Sequence, residues 1–426
     1  MSPATRRVIL VNLMVPVVAW IVWDQVETRA LKRDVAALEA RGEPTSLAML
    51  ATGGDTPERY QAARMYATAA ERTATLPPEV TFRLSSLDVD STTVLVNLDQ
   101  LERTYPPDAP YQQLIEQAAP LDFNGFGDLT ADLGSGGLLT VGLLCAMRAD
   151  LFSARGDLDR AASVLGSCAR VYRTLQPFAR GQLAQRLLGS VRILLRHGTP
   201  SRDALAALQR ALDDVPDTDG MVEETKRRRA LFVERLDAPR DSVIDAMLSR
   251  VMRPWIARTN RQHLAAFEDA ERLAAQPWPQ KLAWSADLER RFGRGFGGQR
   301  GMIERQTLPA GFAYVGWGGR RAAADLAARR VVLAAIAVER FRADHGGTPP
   351  PALDALVPQY LRSVPADPFT GKPLVYSVGD SQYRLYSTDY DQKDDGGLVY
   401  GLGSRIPRQP PQGQPRDLGI RVDVRQ

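Results

Sequence analysis

The chain has 426 residues, 44% of them hydrophobic and 24% charged, and its 54 basic against 50 acidic side chains leave a net charge of +4. That length exceeds one ordinary core, so two or three domains are expected. The small, dispersed excess of charge, carried by Arg far more than Lys, excludes a phosphate-tracking nucleic-acid surface, and two cysteines exclude a disulfide-rich scaffold.

At the N-terminus, Arg6 and Arg7 precede an apolar run from Val8 to Trp23, interrupted by Asn12 and Pro16 and closed by Asp24. As a helix the run rises roughly 24 Å, a little under the thickness of a bilayer core, and Trp20 and Trp23 suit the interface. Residues 1–24 therefore read as a transmembrane signal anchor. Arg6 and Arg7 abut one side, whereas Asp24 and Glu27 precede Arg29 on the other. The bias places the N-terminus in the cytoplasm and the bulk of the chain outside the inner membrane. A cleaved signal peptide is the competing reading, and no small-x-small site follows Trp23 to support it.

Residues 25–135 form a helical stalk and a mixed region. "DQVETRALKRDVAALEAR" sets Val26, Leu31, Val35 and Leu38 near heptad spacing, an amphipathic helix continuing from the span. "TPERYQAARMYATAAERTATL" is helical. "EVTFRL" and "STTVLVNL" are strand or buried helix, which short runs do not decide.

Residues 136–320 carry apolar positions three and four apart. "LLTVGLLCAMRADLFSARGDLDRAASVLGSCARVYRTL" breaks at Gly-Asp. "GQLAQRLLGSVRILLRHGTPSRDALAALQRALDDV" breaks where Gly198 ends one helix and Thr199 or Ser201 with Pro200 starts the next. Two successive helix-turn-helix units imply an α-hairpin array, and the "GDLDRA" turn is similar to a tetratricopeptide turn. Cys145 and Cys168 lie nearly equidistant from Gly156. In an antiparallel pair they face one another, as a disulfide or as two buried thiols. "FGRGFGGQRG" contains G-x-G-x-x-G, but it follows a helical segment with no βαβ unit around it, so it reads as a connection.

From 321 to 403 the pattern changes to a long helix, "RRAAADLAARRVVLAAIAVERFRAD", stopped by Gly346 and Gly347. A proline-rich segment, "TPPPALDALVPQYLRSVPADPFTGKP", and two strands, "PLVYSV" and "QYRLYST", flanking Gly379-Asp380 complete it. "STDYDQKDDGG" leaves the second strand. Residues 404–426, rich in Pro and Gln, read as a disordered tail.

The helix ending in "RFRADHGGTPPPALDALV", the "VPADPFTGKPLVY" segment and "YRLYSTDYDQKDDGG" together resemble the globular domain of the major pseudopilin of type II secretion, over roughly the last quarter of the chain. The resemblance implies one long helix against a small antiparallel sheet, a structural calcium ion in the aspartate loop, and protein partners in the cell envelope. It points first to Asp389 and Asp391 as calcium ligands, then to Asp394 and Asp395. The N-terminal segment lacks that family's glycine and Phe-Thr-Leu-Ile-Glu-like start. From the residues alone the loop is a hard-cation site or an acidic turn with Lys393 as counter-charge; it is no EF-hand.

His197, His263 and His345 lie far apart, without metal-ligand spacing. His197 and His345 precede glycine at helix ends, where a cation caps carbonyls, and His263 reads as a helix-surface residue. No catalytic motif is present. The fold class expected is mainly α with a small α+β C-terminal domain, and the function a membrane-anchored, noncatalytic scaffold or assembly protein linked to a secretion apparatus. The alternative is an envelope enzyme with its cleft between residues 42 and 320.

Overall fold

A computed structural model describes residues 3–50, 57–73, 110–118, 121, 135–175, 177–215, 217, 220–236, 247, 249–284, 310–397 and 417–424. The helices are α1 (Pro3–Ala40), α2 (Leu47–Leu50), α3 (Pro57–Thr73), α4 (Pro110–Ala118), α5 (Ser135–Ala154), α6 (Leu158–Thr174), α7 (Pro177–His197), α8 (Arg202–Asp213), α9 (Met221–Glu234), α10 (Arg253–Ala274) and α11 (Ala310–Asp344). Strands β1 (Val375–Val378), β2 (Gln382–Ser387) and β3 (Leu418–Asp423) form one antiparallel sheet in that order. The protein is thus mainly helical with a small sheet, as its periodicities imply. The segments "EVTFRL", "STTVLVNL" and "FGRGFGGQRG" lie outside the described residues.

The chain divides into two compact units, and one of their breaks, between Trp317 and Gly318, falls beside the boundary expected at 321. The first joins Met1–Ala51, Met221–Gln276 and Ala286–Trp317; the second joins Thr52–Gly220, Pro277–Ser285 and Gly318–Gln426. Hence α9 and α10 leave the hairpin array for the unit built on α1. The long helix α11, from Gly318 onward, shares a unit with the hairpins.

In the first unit α10 lies along α1. Asp24 pairs with Arg253 at 3.4 Å, Glu27 and Asp34 with Arg261 at 3.0 and 2.7 Å, and Arg41 with Glu268. Residue numbers rise together, so the two helices run parallel. Ala30 and Leu38 of α1, eight apart, and Ala257, Leu264, Phe267, Ala270 and Ala274 of α10, spaced by seven, three, three and four, are buried on one face of each helix.

In the second unit α5 and α6 pack on one another as the first expected hairpin, while α8, which follows α7 after a short turn, packs on α6. Gly156, at φ +79, turns the chain into α6, whose N-cap Asp157 accepts from Arg160 N at 3.3 Å. Ser201 caps α8 in the same way, accepting from Ala204 N at 3.3 Å. Helix α5 is buried along nearly its whole length, because α3, α6 and α7 all pack on it. Its stretch Gly137–Ala154 is, among the described residues searched, long and apolar enough to cross a membrane. It is 83% buried, which is a core helix.

The sheet packs into the same core. Tyr383 and Leu385 of the central strand β2, and Ile420 and Val422 of β3, join Val331, Val332 and Ile336 of α11 and Leu187 and Leu194 of α7. Strand β3 corrects the expectation of a disordered tail: residues 418–423 alternate Leu418, Ile420 and Val422 inward, and pair with β2 from Ser387↔Leu418 to Gln382↔Asp423.

Candidate functional site

The hairpin of β1 and β2 closes where Gly379 N donates to Gln382 O at 2.8 Å, so β2 leads directly into the aspartate loop. Its take-off is fixed from the turn before the hairpin. There Asp367 accepts from Ser387 Oγ, Thr388 N and Thr388 Oγ1 at 2.9 to 3.1 Å, and from Phe369 N at 2.9 Å. Sequence reasoning passed over this buried carboxylate; the turn residues of "ADPFTGKP" were its signal.

Beyond Thr388 the chain makes a short 3-10 turn at Asp389–Asp391, with Asp389 and Gln392 at φ +52 and +57. Asp391 is exposed and accepts from Lys393 N at 3.0 Å, an Asx turn. Asp394 accepts from Gly396 N at 2.9 Å and from Tyr386 Oη at 2.8 Å. Gly397, at φ +75, sits where a Cβ would stand 2.9 Å from the Tyr386 ring, so the loop can fold back on β2 only through glycine. Gly397 N then donates to Asp417 Oδ2 at 2.7 Å.

Asp417, on the residue before β3, is the site residue that the sequence did not reveal. It is 2% exposed, and its Oδ1 has no hydrogen-bond partner. Burial pushes its carboxyl up to about 6, opposed by the backbone N–H groups of Gly397 and Asp395, with the charges of Asp395 and Asp394 adding repulsion. The signal lay in the alternation of "LGIRVD", which implies a strand where the composition suggested a tail.

The structure therefore divides the four aspartates singled out by the resemblance. Asp394 and Asp395 are near enough to Asp417 to act on its charge, while Asp391 and Asp394 each accept from the backbone N–H two residues on. Among the described residues no three His, Cys, Asp or Glu side chains converge as a metal set. In donor chemistry the loop suits a hard cation such as calcium: all donors are oxygen, and one buried carboxylate oxygen is unsatisfied. The carboxylates nearest one another there are Asp417, Asp394 and Asp395, and they do not close on one shared point.

The other groups singled out are structural. Cys145 and Cys168 are buried thiols with no disulfide between them, on the packed helices α5 and α6. Cys168 Sγ donates to Gly142 O at 3.6 Å, one turn before Cys145, and burial raises its pKa well above the usual value. His345 Nδ1 meets Phe341 O at 2.8 Å at the end of α11. His263 is buried rather than on the surface, edge-on to Phe232 at 5.7 Å, and desolvation lowers its pKa to about 4.

Among the described residues between 42 and 320 the titratable groups that cluster form ion pairs: buried Glu224 with Arg227 and Arg228 within α9, and two pairings that join separate segments. In the first unit Arg229, 1% exposed, lies between Glu43 at 2.6 Å and Glu271 at 2.5 Å. Its hydrogen bond lowers the Glu43 pKa, while burial raises that of Glu271. In the second unit Arg186 of α7 pairs with Asp150 of α5, whose pKa burial raises. These arrangements fasten helices together at the cost of desolvation.

No family model matches the chain, and the comparisons with curated proteins and with solved structures likewise return no match.

Proposed function

We propose that the protein is a single-span, noncatalytic scaffold or assembly component of the cell envelope. Its N-terminus lies in the cytoplasm, its bulk outside the inner membrane, and its C-terminal module is pseudopilin-like and stiffened by calcium. The observation that carries this reading is the change along α1 at Asp24. Before it, Met14, Val15, Val17, Val18, Ile21, Val22 and Trp23 are 38 to 60% exposed; after it, Val26 is still 55% exposed, and from Ala30 on the helix buries apolar positions where it packs on α10. Exposed apolar side chains on successive faces of one helix suit lipid rather than water. The long helix and antiparallel sheet, with the aspartate loop leaving β2, support the pseudopilin-like part, and the hairpins supply helical surface of the kind that binds proteins.

Alkaline extraction of membranes from cells expressing the full chain tests the anchor. The protein should stay with the membrane pellet and become protease-sensitive when the outer face is opened. Recovery in the soluble fraction sinks the anchor.

Melting the detergent-solubilised full chain with calcium and with chelator tests the ion. Calcium at a hundredfold over its dissociation constant should stabilise by about 2.7 kcal/mol, and Asp417→Asn should abolish the gain. Superimposed melts for the unmodified chain would make the loop a solvated turn.

A further inference from the structure

The parallel packing of α10 on α1 brings the start of α10 to the same end as Trp20 and Trp23. Trp20 Nε1 donates to Val251 O at 2.9 Å, and Asp24 pairs with Arg253 at 3.4 Å, so residues 251–253 stand at the level where the apolar half of α1 gives way to its packed half. At that level the chain exposes two large apolar side chains: Met247 and Val251 are each 66% exposed. Arg250 and Arg253 beside them are exposed as well. Residues 247–258, "MLSRVMRPWIAR", carry Arg250, Arg253 and Arg258 with no carboxylate among them.

Apolar side chains, a tryptophan at position 255 and three arginines, of which Arg253 also pairs with Asp24, are the composition of a segment lying in a membrane interface. Arginine there extends its stem along apolar surface and holds the guanidinium at the phosphates. Each basic residue near an anionic surface adds about 1 kcal/mol, close to fivefold in affinity.

We propose that Met247 with residues 249–258 forms a second, peripheral membrane contact. Met247 and Val251 enter the interface beside Trp20 and Trp23, and Arg250 and Arg253 bind the phosphates of anionic lipids. The proposal rests on α1 being the membrane anchor. It adds that the extracytoplasmic unit sits against the bilayer at a fixed height, instead of standing off on a stalk.

The test uses the full chain in phosphatidylcholine vesicles with and without phosphatidylglycerol. An environment-sensitive fluorophore is placed at Val251→Cys or, as control, at Arg272→Cys, which is exposed near the far end of α10; Cys145 and Cys168 are buried and do not compete for label. The expected result is a blue-shifted emission at position 251, quenched by lipids spin-labelled near the headgroup and strengthened by phosphatidylglycerol, with neither effect at position 272. Arg250→Ala with Arg253→Ala should remove the phosphatidylglycerol dependence. An unshifted, unquenched label at 251 on protein that resists alkaline extraction overturns the contact while the anchor stands. Extraction of the protein by alkali overturns both. A blue shift that grows with protein density and is not quenched by lipid assigns the surface to a second copy of the chain and overturns the proposal.

Discussion

Glu339 shows how one side chain ties the second unit together. Fully buried on α11, it accepts from Arg342 Nη1 at 2.8 and 2.9 Å, from Tyr383 Oη on β2 at 2.7 Å, and from Thr199 Oγ1 in the turn between α7 and α8 at 3.1 Å. Helix, sheet and hairpin array thus meet at one carboxylate. Glu339→Gln leaves the Arg342 guanidinium buried without its counter-charge, and should cost about 3 to 5 kcal/mol in denaturant unfolding. His263 makes the first unit sensitive to acid. Its imidazole stays neutral in the fold down to about 4, against 6.5 for a solvated histidine. Below 6.5 the unfolded chain therefore binds a proton that the folded chain does not. Stability should fall as pH drops from 6.5 through 4, by on the order of 3 kcal/mol in all. Stability curves of His263→Gln should lack that slope; an unchanged slope would mean the loss comes from other groups.

At the scale of elements, the turns were the most legible part of the sequence. Gly156 with Asp157, and Gly198 with Ser201, state where helices stop and start, and the helices end and begin there; α5 and α6 pair as a hairpin, whereas α8 packs on α6. The β1–β2 turn was equally plain at Gly379-Asp380. Strand β3 was not, because six residues of alternation follow a proline- and glutamine-rich run, and neither length nor composition marked them as ordered. The consequence is measurable. Ile420, 1% exposed at the heart of β3, should cost about 2 to 5 kcal/mol when changed to Ala. A disordered tail would give a change within about 0.5 kcal/mol. Asp417 was missed for the same reason, since its role depends on β3 returning to the sheet beside Gly397.

For the whole molecule, the sequence by itself determined the kinds of element present: an apolar N-terminal helix, helical hairpins, a long helix, a strand hairpin and an acidic loop. Each of these is written in local periodicity and turn chemistry, which act over a few residues. Only the tertiary structure decided which elements share a core. The amphipathic face of α10 shows that it buries one side, but nothing in that face names α1, far earlier in the chain, as the partner. The face of α11 equally does not name the hairpins and the sheet. Partner choice depends on matching apolar faces and on charges such as Asp34 with Arg261 and Glu43 with Arg229, which come together only when distant segments pack. The same limit applies to the candidate site: Asp394 and Asp395 were visible in one stretch of sequence, while Asp417 joined them through strand pairing, a long-range contact that spacing along the chain does not encode.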